Sequence, residues 1–199
     1  VTTPPQADQW QRLSSTPSLP DIVARTVTDF TPLPVKDALP RHSMSAVPTG
    51  WHLAASGDSF EQPVQAAVTG HRSRGGWEGC DTLAAFGFTS STPTDAVIEH
   101  AACTLRNLGA AGVTARTLDI PVLPGVVAVR SAGYFTAVRL RMWAQFSTYV
   151  AGCEHPGMGR LIHHSLFVIT QRRTQLRADI AYLSNSVHAS FRVLLDNRR

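Results

Sequence analysis

Lysine is almost absent from this chain: of 18 basic residues among 199, all but Lys36 are arginine. That bias points to a GC-rich genome more readily than to a function. Basic residues exceed the 14 acidic ones only slightly, and the net charge of +4 is scattered rather than gathered into the patch that nucleic-acid binding shows. The densest basic run, His71-Arg72-Ser73-Arg74-Gly75-Gly76, reads as a solvated loop, so no nucleic-acid partner is expected. No apolar run approaches the roughly 18 to 20 residues that cross a bilayer. Cysteine is scarce too: Cys80, Cys103 and Cys153 leave at least one thiol unpaired within the chain.

The motifs of several enzyme classes are also missing. There is no Gly-x-Ser-x-Gly nucleophile elbow. Ser165 follows His164 directly, and neighbours on a strand point to opposite faces, so the two do not form a nucleophile and its base. Gly75, Gly76 and Gly79 have no following helix to present amides to a phosphate. Asp58 and Glu61 flank Ser59-Phe60 in a loop pattern rather than a carboxylate pair. No cofactor and no catalytic role are expected.

What is present centres on residues 134–150. Read with a period of two, Val138, Leu140, Met142, Ala144, Phe146 and Val150 share an apolar face, and Arg139, Arg141, Gln145, Ser147 and Tyr149 a polar one. Seventeen residues is long for one strand, which predicts a bend or bulge inside it. The cover for the apolar face is predicted at the C-terminus, where Leu176, Ile180, Leu183, Val187, Phe191 and Leu194 recur at helical steps.

Residues 1–20, rich in Pro, Thr and Ser, read as a flexible arm, and residues 21–199 as a single domain. The opening Val1, in place of Met, suggests a processed product. Residues 21–29 suit either a short helix or an edge strand, after which Pro32, Pro34 and Pro40 break regular structure. Val47 to Leu53 reads as a turn feeding a strand with Trp51 inward. Residues 64–69, 81–89, 113–120, 126–131, 134–150 and 161–170 are strand candidates, with turns near 121–125, 132–133 and 152–159. Thr92 as N-cap, Pro93 and Asp95 open a helix that Gly109 ends. Val97, Ile98, Ala101, Leu105 and Leu108 form its apolar face, and Cys103 falls on its polar side. The pattern is α+β, an antiparallel sheet with helices lying against it.

With those elements in order, short stretches acquire counterparts elsewhere: Thr26-Val-Thr-Asp-Phe30, Val47-Pro-Thr-Gly-Trp51, Leu105-Arg-Asn-Leu108, Arg141-Met-Trp-Ala-Gln145, Leu166-Phe-Val-Ile169 and the closing amphipathic helix. Across residues 25–195 the chain resembles the mycobacterial LpqN/LpqT-type lipoproteins. The resemblance implies a PsbP-like α/β/α sandwich in which helices cover both faces of the sheet. It further implies a secreted, cell-envelope setting and a role in binding an envelope lipid or glycolipid, or as an adaptor between envelope proteins. Contact with the membrane would come only through an N-terminal lipid anchor, whose acylated cysteine this sequence does not contain. The family carries no catalytic set to transfer.

Three residue sets are candidates for chemistry. Trp51, Trp77, Trp143, Phe146 and Tyr149, with Arg139 and Arg141, form the candidate ligand-binding set. Ordinary core packing accounts for the aromatic residues equally well, but Trp143 falls by alternation among arginines, which suits a partner, a sugar-lipid headgroup or, equally, a face covered by the helix from Pro93 to Leu108. Cys153, His155 and His163 are the alternative, a metal site in a metal-dependent enzyme or metal-binding protein. In an oxidising compartment Cys80, in a glycine-rich loop, is expected to pair with Cys103. Cys103 with Cys153 is the rival pairing, and three reduced thiols are the third possibility.

Overall fold

A computed structural model describes residues 17–39, 47–54, 64–71, 76–91, 94–137, 139–153 and 159–197. The chain folds as an antiparallel α+β structure with helices on both faces of one sheet, as expected. In chain order the elements are α1 (Leu19–Ala24), β1 (Thr28–Leu33), α2 (Val35–Ala38), β2 (Trp51–Leu53), β3 (Val64–His71) and β4 (Trp77–Thr89). Then come α3 (Thr94–Glu99), α4 (Cys103–Asn107), β5 (Ala111–Thr117), β6 (Val126–Ala137), β7 (Leu140–Ala151), β8 (Gly159–Ile169) and α5 (Arg177–Asp196). The eight strands run β2-β3-β4-β8-β7-β6-β5, and β1 lies against the second half of β4. Along one edge β4 therefore has two neighbours end to end: β3 reaches Ala84 and β1 takes over at Ala85.

Residues 21–29 contain both of the alternatives weighed for them. Ser18 donates from its backbone N and its Oγ to Asp21 Oδ2, at 2.7 and 2.6 Å, and fixes the start of α1. Leu19 and Pro20, placed in the arm by composition, belong to this helix and are buried; residues 1–16 lie outside the described residues. Pro32 does not break the chain as predicted. It sits inside β1 opposite Phe86, which an edge strand tolerates because the missing N–H is needed on one side only.

The segment 134–150 is a hairpin rather than one bent strand. Residues 134–137 finish β6, the chain reverses before Leu140, and Arg139 adopts φ +68°. The turn predicted at Ala132-Gly133 is absent because Gly133 lies mid-strand opposite Ala144. A Cβ there would come within 3.3 Å of Val113 and 3.4 Å of Ala110, so its smallness serves the close passage of the neighbouring strand.

The assignment of faces is also reversed. Trp143, Gln145, Ser147 and Tyr149 lie beneath α5, where Tyr149 packs with Val187, Phe191 and Leu195. Ala144, Phe146 and Val150 look the other way, towards α1, α3 and α4, represented there by Leu19, Val23, Val97 and Leu105. Two groups of this polar face meet protein partners in place of water. Gln145 Nε2 donates to Ser184 Oγ of α5 at 2.7 Å, and Arg130 Nε to Ser147 Oγ at 2.8 Å.

The helix expected from Thr92 to Gly109 is two short helices, broken at residues 100–102; Thr92 and Pro93 lie outside the described residues. The break leaves Ile98 46% exposed and turns Cys103 onto the cluster of Val97, Val127 and Leu161. Gly109, at φ +65°, ends α4 as predicted.

Neither expected disulfide forms, because Cys80 and Cys103 are both unbridged. Cys80 sits in β4 opposite Phe167, not in a flexible loop. Cys103 packs against the cluster that holds Leu161, opposite Phe86 and roughly 20 Å further along the strand at ~3.3 Å per residue. Burial raises both thiols above their ordinary pKa, with Asp81 adding to the effect at Cys80. Each is therefore a weak nucleophile at neutral pH.

If α5 anchors on the odd-numbered face of β7, Phe191→Ala will cost about 3–5 kcal/mol in urea unfolding. Val193→Ala, at a position 48% exposed on the same helix, will stay within ~0.5 kcal/mol. Equal effects at the two positions would contradict this docking.

Candidate binding surface

Antiparallel pairing gathers residues that are far apart in the chain at one end of the sheet. Trp51 pairs with Thr69, Trp77 with His71, and Trp143 with both Tyr134 and Val168. The β6–β7 turn brings Arg139 and Arg141 to this end. The 3-10 turn Thr170–Arg172, which follows β8, and the start of α5 bring Arg172, Arg173 and Arg177. All five arginines are exposed.

Trp143 is not an open aromatic surface. It is 5% exposed, packed with Trp51, Leu166, Val168, Ile180 and Leu183. Arg173 closes the remaining side, with its Cζ 4.9 Å from the Trp143 ring centroid and its Nη1 donating to Tyr134 Oη at 2.7 Å. Arg141 lies 5.8 Å from the Tyr134 ring. Stacking of this kind contributes about 0.5–1 kcal/mol per contact at an exposed site and fixes where the charge points. Arg172 Nε donates to Glu78 Oε1 at 2.9 Å, and Trp51 Nε1 to Asp179 Oδ2 at 3.0 Å. Trp77, 44% exposed, stands edge-on to His71 at 5.4 Å.

The structure thus brings together Trp51, Trp77, Trp143, Arg139 and Arg141 and leaves the other two candidates elsewhere. Phe146 lies on the opposite face beside Phe167, and Tyr149 is enclosed beneath α5, 5.1 Å from Phe191. Burial raises the Tyr149 phenol, while Arg130 acts in the other direction.

Of the alternative metal set, Cys153 and His163 are among the described residues. His155 lies outside the described residues, as do Asp58 and Glu61. Ser90 N donates to the Cys153 carbonyl at 3.1 Å. His163 stacks on Phe146 at 5.7 Å, and its Nδ1 lies 2.8 Å from Thr148 Oγ1. Among the described residues no group of three His, Cys, Asp or Glu side chains is placed to hold a metal ion.

A polar group that sequence reasoning missed lies under α5. His164, fully buried, meets Asp81 Oδ1 through Nε2 at 2.5 Å, and its Nδ1 has no partner. Asp81 also borders a cavity of about 40 Å³ between β3, β4 and α5, together with Gln65, Leu83, Ser186 and Ser190. That volume admits one or two waters, whereas sites for drug-sized ligands run to ~300–1,000 Å³. Neighbours on a strand point to opposite faces, so His164 turns away from His163, and what lies across from it is set by strand order.

The class of protein that emerges is a helix-covered antiparallel sheet with a basic, aromatic end and a cavity too small for a large ligand. No family model and no curated protein matches the chain. Among solved structures it is similar to LpqN, a protein involved in cell envelope biogenesis of Mycobacterium tuberculosis. The match has a TM-score of 0.57 at 15% identity and covers 85% of this chain and 95% of LpqN, a likeness of fold.

Two measurements probe the histidines. Burial, then His164, lowers His163 from 6.5 to about 4, so the unfolded chain takes up a proton first as pH falls. Stability will decline from about pH 6.5 to about pH 4 and level off below, by at most ~3 kcal/mol and less where solvent reaches the ring. His163→Gln will flatten that slope in urea titrations at stepped pH. Asp81→Ala, which leaves His164 with no partner on either nitrogen, will destabilise by about 3 kcal/mol; a loss under ~1 kcal/mol would mean that the pair contributes little.

Proposed function

We propose that this chain is an extracytoplasmic cell-envelope protein that works by binding, as an adaptor at its outer surface, and carries out no reaction of its own. The observation that carries the reading is the correspondence of fold with LpqN over 85% of this chain and 95% of LpqN. The cavity of about 40 Å³ supports the adaptor form of a binding role over an enclosed ligand. One lipid tail needs several times that space, so an acyl chain enclosed beneath α5 is disfavoured and contact at the exterior is favoured.

The test is fractionation of native host cells, with the chain detected by antibody in envelope and cytosolic fractions under marker control. The expected result is recovery with the envelope; a cytosolic pool alone would end the proposal. Native mass spectrometry of protein purified from that envelope is expected to show the bare polypeptide mass. A stoichiometric adduct of lipid mass would instead restore an enclosed ligand.

A further inference from the structure

The geometry points to the arginine-rich end of the sheet as a docking face for an anionic phospholipid bilayer. Arg139, Arg141, Arg172, Arg173 and Arg177 converge there from the β6–β7 turn, the 3-10 turn after β8 and the start of α5. The carboxylates described beside them are Glu78, engaged by Arg172, and Asp179, engaged by Trp51. Positive charge therefore exceeds negative at this end, in a chain whose whole net charge is +4. Arg173 is held on Trp143 and Tyr134, so part of this charge is fixed in direction before any partner arrives.

Charge complementarity identifies an anionic occupant, and Trp77 selects the bilayer among anionic partners. A half-exposed indole on a basic rim has the amphipathic character that places tryptophan at the headgroup level, while arginine stems lie along apolar surface and reach phosphate with their tips. Recognition of an acidic peptide would call for a groove with side-chain pockets, and the cavity described lies beneath α5, bordered by Asp81 and apart from the arginines. The inference goes beyond the envelope role and is separable from it, since vesicle binding is measured with purified protein whatever its location in the cell.

The experiment is sedimentation of the full chain with sucrose-loaded vesicles of phosphatidylcholine alone or with about a third phosphatidylglycerol. Binding is expected to the mixed vesicles only, with a blue shift in tryptophan emission that Trp77→Phe removes. It should be lost near 0.5 M NaCl, where charges are screened within roughly 4 Å. The Arg139→Gly/Arg177→Gln double variant removes two exposed charges, and glycine suits the positive φ at 139. It should bind about twenty-five-fold more weakly, at roughly fivefold per basic residue, with an unchanged thermal melt. Equal binding to neutral vesicles, an unchanged double variant, or stronger binding of polyglutamate than of the mixed vesicles would each overturn the proposal. So would failure of the wild-type chain to bind the mixed vesicles.

Discussion

A strand that is hydrogen-bonded along both edges has its backbone satisfied, but its side chains still point alternately to two faces, and each face must be covered. β7 and β8 are in that position at the centre of this sheet. The remaining architecture answers that requirement: α5 lies along one face, and α1, α3 and α4 close the other. On the α5 side the cover is partly polar. Gln145, Ser147, His164 and Asp81 are tolerated inside because Ser184, Arg130 and one another supply partners. An interior filled in this way leaves little empty space among the described residues.

The hydrophobic period of two revealed the strands, the helical period revealed α5, and Gly109 revealed the end of α4. These are local signals, each read from consecutive residues. The assignment of faces failed because a buried polar row and a solvated one share an alternation; Gln145-Phe146-Ser147 does not state whether a serine on a distant helix will meet it. The hairpin failed for a similar reason. Its turn uses Arg139 in a left-handed conformation where glycine or asparagine would have signalled it, while Gly133 marked a close strand crossing instead. The candidate surface was half legible. Arg139, Arg141 and Trp143 stood together in sequence, but the partners that orient them, Arg173 and Tyr134, arrive through pairing across the sheet.

The basic end shows how a modest charge excess becomes directional. Arginines free in solvent sample many orientations and point nowhere in particular. Arg173, stacked on an indole and hydrogen-bonded to a phenol, has little of that freedom, so its ordering entropy is already spent in the folded state. Trp143 is at once a core residue and the platform for this arginine, and through it core packing sets the geometry of an outer surface.

The way β1 and β3 share one side of β4 has a consequence for assembly. Because β1 meets β4 along a single edge, lifting it away uncovers the backbone of β4 from Ala85 onward while the β3 half stays paired. The vacancy matches Thr28–Leu33 of another molecule in the same register, with Phe30 again stacking on Phe86. Exchange of that strand between copies would need no contact the monomer lacks, so concentration and the length of chain joining β1 to the body govern whether it occurs.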